Sequence, residues 1–257
     1  MRRRDFIRVV FGSAATWPLA AGAQQPATPV IGFLHVGAAK PFEGVVGAFR
    51  QGLSETGYND QQNVAIEFRW AEGHYDRLPE LATELVRRQV ALIVTGGGEG
   101  TALAAKAATS TIPIVCNVGA DPVTMGLIAG LNRPGGNVTG VNILTSELAA
   151  KRVGLLHDLV PSSAVIAYIV NPNFPSTPAS IRDVQAAASA LGVQIVVMPA
   201  TNIADIDAAF VSMRDKQIGA LLVGADFVSH APPVRLPLRL NMPISKTRTM
   251  ITISTSM

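Results

Sequence analysis

Short apolar runs alternate with amphipathic stretches from residue 29 to residue 226. Residues 29–36 are a compact apolar run that predicts a strand, and Gly37 opens the loop after it. Over 42–56, Val45, Val46, Phe49 and Leu53 recur at helical spacing, and the pattern stops at Gly57. Residues 63–70 carry Val64, Ile66, Phe68 and Trp70 at every second position, the spacing of a strand. A helix follows over 77–89 with Leu78, Leu81, Leu85 and Val86 inward, then a strand over 90–95. The glycine loop 96–100 leads into an alanine-rich helix over 101–109, a strand over 112–118 and, after two glycine turns, an apolar run over 138–144. The cycle then restarts. Ser146 caps a helix with Leu148, Val153, Leu155 and Leu156 apolar, which ends before Pro161. Strands over 164–170, 193–198 and 220–223 alternate with helices over 177–191 and 203–216.

Such alternation of strand and helix predicts an α/β fold whose parallel sheets are covered on both faces. Two successive sets joined near 141–146 predict two similar lobes, 28–144 and 145–226, with a cleft facing the strand ends. Beyond 226 the pattern breaks. Residues 227–257 carry Pro232, Pro233, Pro237 and Pro243, have no acid and show no helical period, and are expected to form an atypical tail.

Open α/β sheets bind ligands beyond the carboxyl ends of their strands. Four loops here have the right place and chemistry: 37–41, 95–100, 119–123 and 171–174. Each offers small residues, exposed backbone and a polar side chain. The candidate contacts are His35, Gly37, Thr95, Gly96, Gly97, Gly98, Asp121, Pro122, Val123, Asn171 and Asn173. Glycines at 96–98 bring bare N–H groups at a helix N-terminus close to an anionic head such as a carboxylate. Asp121 is either the partner of a ligand ammonium or an Asx turn before Pro122. Asn171 and Asn173 are turn formers or donors to a ligand, and His35 is a ligand contact or a core histidine. The turn 134–137 reads as a structural turn beside the crossover strand.

Other chemistry is absent from the pattern. Gly98 and Gly100 are followed by Leu103 where a dinucleotide fingerprint needs glycine, and the Walker lysine is missing. The histidines His35, His74, His157 and His230 are dispersed without metal-ligand spacing, and no nucleophile elbow is present. No cofactor, metal or catalytic residue is expected. Cys116 is alone, so it forms no intrachain disulfide and reads as a small buried hydrophobe.

Charge changes the picture only at the ends. The 257 residues carry a formal +3, yet residues 24–226 hold 17 acidic against 13 cationic side chains, a net −4. A polyanion partner is therefore not expected, and at 15% charged and 48% hydrophobic residues the composition is globular. The excess positive charge sits in 1–23 and 227–257. At the start, the basic run Arg2–Arg8, the apolar stretch 9–20 and the small residues Ala21 and Ala23 form a signal-peptide pattern cleaved near Ala23. The apolar stretch is shorter than the roughly 20 residues of a membrane span. Arg3-Arg-Asp-Phe-Ile7 resembles a twin-arginine export signal, with a Sec signal the alternative. Both predict export to the periplasm.

A family resemblance is carried by several stretches together: Ala48-Phe-Arg-Gln-Gly-Leu, Gly57-Tyr, Asn63-Val-Ala-Ile-Glu-Phe-Arg-Trp-Ala-Glu-Gly, Tyr75-Asp-Arg-Leu-Pro, Asp121-Pro-Val, Leu131-Asn-Arg-Pro-Gly-Gly-Asn-Val-Thr-Gly and Asn171-Pro-Asn. Over roughly 28–226 the chain resembles the periplasmic substrate-binding proteins of ABC importers, in the group that includes tryptophan- and tyrosine-binding proteins. The resemblance implies a type I periplasmic binding fold of two Rossmann-like lobes, with a small organic solute held in the interlobe cleft by hinge closure. It adds Asp226, in Gly224-Ala-Asp, to the cleft residues. It also implies a non-enzymatic, monomeric receptor that delivers an amino-acid-like solute to importer membrane subunits, without nucleic acid. Two departures accompany it. Relatives continue after Gly224-Ala-Asp with further elements where this chain has 227–257, so the second lobe is expected to be incomplete. Gly97-Gly-Glu99 replaces the Thr-Pro common in relatives, and Glu99 would disfavour a ligand carboxylate there. The alternatives are a periplasmic α/β enzyme and a non-functional truncated copy of the receptor.

Overall fold

In the computed structural model, which describes residues 28–145, 148–225 and 252–253, the alternation resolves into two separate parallel sheets. The first contains β1 (Val30–His35), β2 (Ala65–Trp70), β3 (Leu92–Gly96), β4 (Ile114–Val118) and β5 (Val138–Asn142) in the order β2-β1-β3-β4-β5. The second contains β6 (Val165–Val170), β7 (Gln194–Pro199), β8 (Ala220–Val223) and β9 (Thr252–Ile253) in the order β7-β6-β8-β9. Helices α1 (Glu43–Glu55), α2 (Leu78–Arg87) and α3 (Glu99–Ala108) cross between strands of the first sheet. Helices α4 (Leu148–Leu159), α5 (Thr177–Ala190) and α6 (Ile203–Asp215) belong to the second.

The predicted inward faces explain the packing. On α2, Leu78, Leu81 and Leu85 are buried and join Leu34, Ile93 and Ile114 in one core. Gly32 of β1 makes room for them, since a Cβ there would stand 2.9 Å from the Leu85 methyls. In the second sheet β6 is buried on both faces, as a central parallel strand should be. Ile166, Tyr168 and Val170 pack with Val153 and Leu156 of α4 and Val184 of α5. Ala167 and Ile169, pointing the other way, pack with Met213 of α6 and Leu221.

Several expectations are adjusted. On α1, Val46 is buried but Val45 is 53% exposed, because the helix meets the sheet along a narrower line than its apolar pattern suggests. The helix predicted over 101–109 begins two residues earlier, and so takes in Glu99 and Gly100. The run 138–144 ends as strand at Asn142, leaving Ile143 and Leu144 exposed. Within the stretch 227–257, read as an atypical tail, Thr252 and Ile253 pair in parallel with Leu221 and Leu222. Residues 1–23, where an export signal is expected, the expected Ser146 cap, Asp226 and the rest of the tail lie outside the described residues.

Candidate functional site

Parallel pairing brings the carboxyl ends of the first sheet to one edge. His35 stands level with Gly96 and Trp70, Thr95 with Cys116, and Val118 with Asn142. The loops after β1, β3 and β4 therefore leave side by side.

His35 is packed as a core side chain. It is 2% exposed, its ring lies 4.2 Å from that of Phe42 and 5.1 Å from that of Trp70, and its Nδ1 accepts the Gly37 N–H at 2.8 Å. The imidazole fills the space under the glycine loop: a Cβ at Gly37 would meet the Phe42 ring, and one at Gly96 the His35 ring, each at 2.6 Å. Thr95 is buried as well, and its Oγ1 has no hydrogen-bond partner.

After β3, Gly97 and Gly98 have φ of +85° and +90°, a region that side-chain-bearing residues avoid. A Cβ at Gly97 would also stand 2.6 Å from Val36 Cγ1. At Gly98 the neighbour is Phe174 from the second sheet's loop, whose ring would lie 3.0 Å away. The Thr101 hydroxyl sits over the Gly96 carbonyl at 3.0 Å and donates to that of Gly98 at 2.7 Å, which holds the turn in this shape.

Glu99 opens α3, where the helix dipole favours a carboxylate. Its side chain is fully buried. Oε1 accepts the N–H groups of Gly119 at 3.0 Å and Ala120 at 2.7 Å, so the β3 turn is strapped to the β4 turn, while Oε2 has no partner. Gly119 also lies directly against Thr145 Oγ1, on the connection between the two sheets.

Asp121 is engaged by its own loop. One oxygen accepts the Val123 N–H at 3.0 Å and the other the Thr124 hydroxyl at 2.5 Å. The Thr124 bond, followed by the Val123 bond, holds its pKa below the ordinary value. Pro122 is buried, and Val123 is exposed. This is the Asx-turn alternative, with both oxygens already accepting.

In the second sheet, Asn171 Oδ1 accepts the Asn173 N–H at 3.0 Å, and the Asn171 carbonyl accepts the Thr177 hydroxyl at 2.7 Å. The turn that results leaves Asn173 exposed and turns Phe174 inward, to 6% exposure. Beside it lies a small recess whose walls include Thr145, Arg152, Tyr168, Phe174, Thr177 and Ser180. Tyr168 and Ser180 share a hydrogen bond of 2.5 Å, and Arg152 Nη2 donates to the Val223 carbonyl at 2.8 Å. Burial pulls the Arg152 pKa down, partly offset by Tyr168.

The structure thus gathers His35, Gly37, Thr95, Gly96, Gly97 and Gly98 into one packed corner, roofed by Phe174. Asn171 and Asn173 shape the roof, and the Asp121 carboxylate serves its own turn. Arg152 and Glu99 were not among the predicted contacts. A signal for Arg152 was present: Ala149, Arg152, Val153 and Leu156 are the buried residues of α4 and follow helical spacing, so a cation stands on the inward face. Among the described residues no group of His, Cys, Asp and Glu could hold a metal, and no helix is long and apolar enough to cross a membrane.

Comparison with known proteins adds to this geometry. The family model described as ABC transporter substrate binding protein matches residues 39–231. A tyrosine-binding protein of Clostridioides difficile (strain R20291) is 29% identical over 188 residues, 72% of this chain and 53% of the relative. The chain therefore spans about half the length of that relative. Among solved structures, a conserved domain protein from Vibrio cholerae O1 biovar El Tor superposes with a TM-score of 0.66 at 24% identity, over 76% of this chain and 64% of that one. An ABC domain from Streptococcus pneumoniae in complex with L-Trp gives 0.63 at 24% identity, over 77% and 65%. At these identities the two structures speak for the fold alone.

Proposed function

The chain belongs to the ABC transporter substrate-binding protein family, and from that premise we propose that it is an exported receptor that binds an amino-acid-like solute between the facing strand ends of its two sheets. The fold is the type I periplasmic binding fold, and the family binds small solutes and works with ABC transporter components without catalysing a reaction. The finer statements are our reading: residence in the periplasm after cleavage near Ala23, delivery to an importer's membrane subunits, and the position of the solute. Asp226, three residues after β8 in the sequence, is included in the proposed site by that position alone.

One observation carries the position of the site. Phe174, on a loop of the second sheet, is seated on Gly98, on a loop of the first. Loops at the carboxyl ends of both sheets therefore meet, and a solute that parts them would be enclosed from both sides. The glycine turn 96–98 and Glu99 at the start of α3 stand on one side. On the other, Arg152 beside the hydroxyls of Tyr168 and Ser180 suits a carboxylate. The tyrosine-binding relative favours an aromatic amino acid.

A thermal melt of the purified chain against the common amino acids, sugars and nucleosides tests the reading, because binding to the native state adds stability as RT ln(1 + [L]/Kd). The expected result is a rise with one or a few amino acids. A rise with sugars or nucleosides alone would overturn it.

A further inference from the structure

We propose that Glu99 determines which solutes the site accepts, with its Oε2 taking a hydrogen bond from the solute's ammonium group. The proposal rests on the receptor reading above and deepens it.

Glu99 has no solvent exposure, and its two oxygens are treated differently. Oε1 accepts two backbone N–H groups, from Gly119 and Ala120, while Oε2 accepts nothing. An ionised carboxylate has about four acceptor positions. Leaving one oxygen buried without a donor costs the desolvation of a charged group, a cost that a bound donor would remove. The straps to Gly119 and Ala120 aim the group and leave one oxygen open. A second buried atom, Thr95 Oγ1 at the end of β3, also lacks a partner, so two unmet polar atoms stand within five residues of the chain.

What covers this turn comes from outside it. Phe174 is seated on Gly98, the residue before Glu99, and Thr145 Oγ1 lies against Gly119, whose N–H holds Oε1. Parting of the two sets of loops would uncover the carboxyl, and the solute would take the place of that cover. A negative group is disfavoured beside Glu99 by like charge, whereas a primary ammonium supplies both charge and donor. With the Arg152 cation in the recess on the other side, the pair suits a zwitterion, its amino end at Glu99 and its acid end at Arg152.

The test uses the whole chain and Glu99→Gln, which keeps an acceptor for Gly119 and Ala120 but places an NH2 where Oε2 was. Melts are recorded with the common L-amino acids and, for each one that stabilises, with its decarboxylated amine and its deaminated acid; for tryptophan these are tryptamine and 3-indolepropionate. We expect the wild type to respond to the amino acid and the amine but not to the deaminated acid. Glu99→Gln should bind about tenfold more weakly or worse, with a cooperative ligand-free melt. Equal stabilisation by the deaminated acid overturns the assignment and leaves the receptor reading intact. Stabilisation by no amino acid overturns both. The amine-against-acid comparison is made on the wild type, so it holds even where Glu99→Gln fails to fold.

Discussion

At Asp121 both carboxylate oxygens serve the local turn, and the bonds from Thr124 and Val123 lower its folded pKa. A carboxylate with a lowered folded pKa stabilises the native state above its unfolded value, about 4, and that contribution is lost as pH falls through the folded value. Asp121→Asn should therefore be less stable than wild type at pH 7, with the difference shrinking below about pH 4. Melts across that range that run parallel for the two proteins would contradict the turn assignment. Gly97 makes a second residue-scale case, because its φ of +85° and its approach to Val36 both resist a side chain. Gly97→Ala should lose about 1–2 kcal/mol, read from the urea midpoint. At this scale the sequence was partly legible. It pointed to glycines wherever backbone had to come close, and it left Asp121 open between turn and ligand. It did not reveal that Glu99 reaches across to Gly119 and Ala120, because a contact between turns some 20 residues apart depends on β3 and β4 being neighbours.

Elements are where periodicity carried most weight, and its failures have a common cause. Helix α2 fits its pattern closely, with Leu85 fully buried against Gly32 of β1. Leu85→Ala should cost about 2–5 kcal/mol in equilibrium unfolding. Helix α1 reads just as amphipathic, yet Val45 is 53% exposed and Val46 carries the contact. Val45→Ser should change stability by less than about 0.5 kcal/mol in the same assay, and a larger loss would mean that α1 packs along a wider face. Spacing tells which residues share a face, but how much of that face is covered depends on the sheet beneath. The early start of α3 has a different origin. Gly98, at φ +90°, sets the entry into the helix, and Glu99 enters its first turn while its carboxylate caps the neighbouring loop.

For the whole molecule, the two successive βα sets in the sequence correspond to two parallel sheets joined through the segment between β5 and α4. The meeting of Phe174 with Gly98 was not legible, since it depends on how the two sheets face each other. The central claim is that an amino-acid-like solute binds where these loops meet, and isothermal titration of the full chain with the common L-amino acids tests it most directly. The account predicts saturable heat with at least one of them, weakened about tenfold or more in Arg152→Met and unchanged in Val45→Ser. Absence of heat across the amino acids, or equal affinity in Arg152→Met, would contradict it.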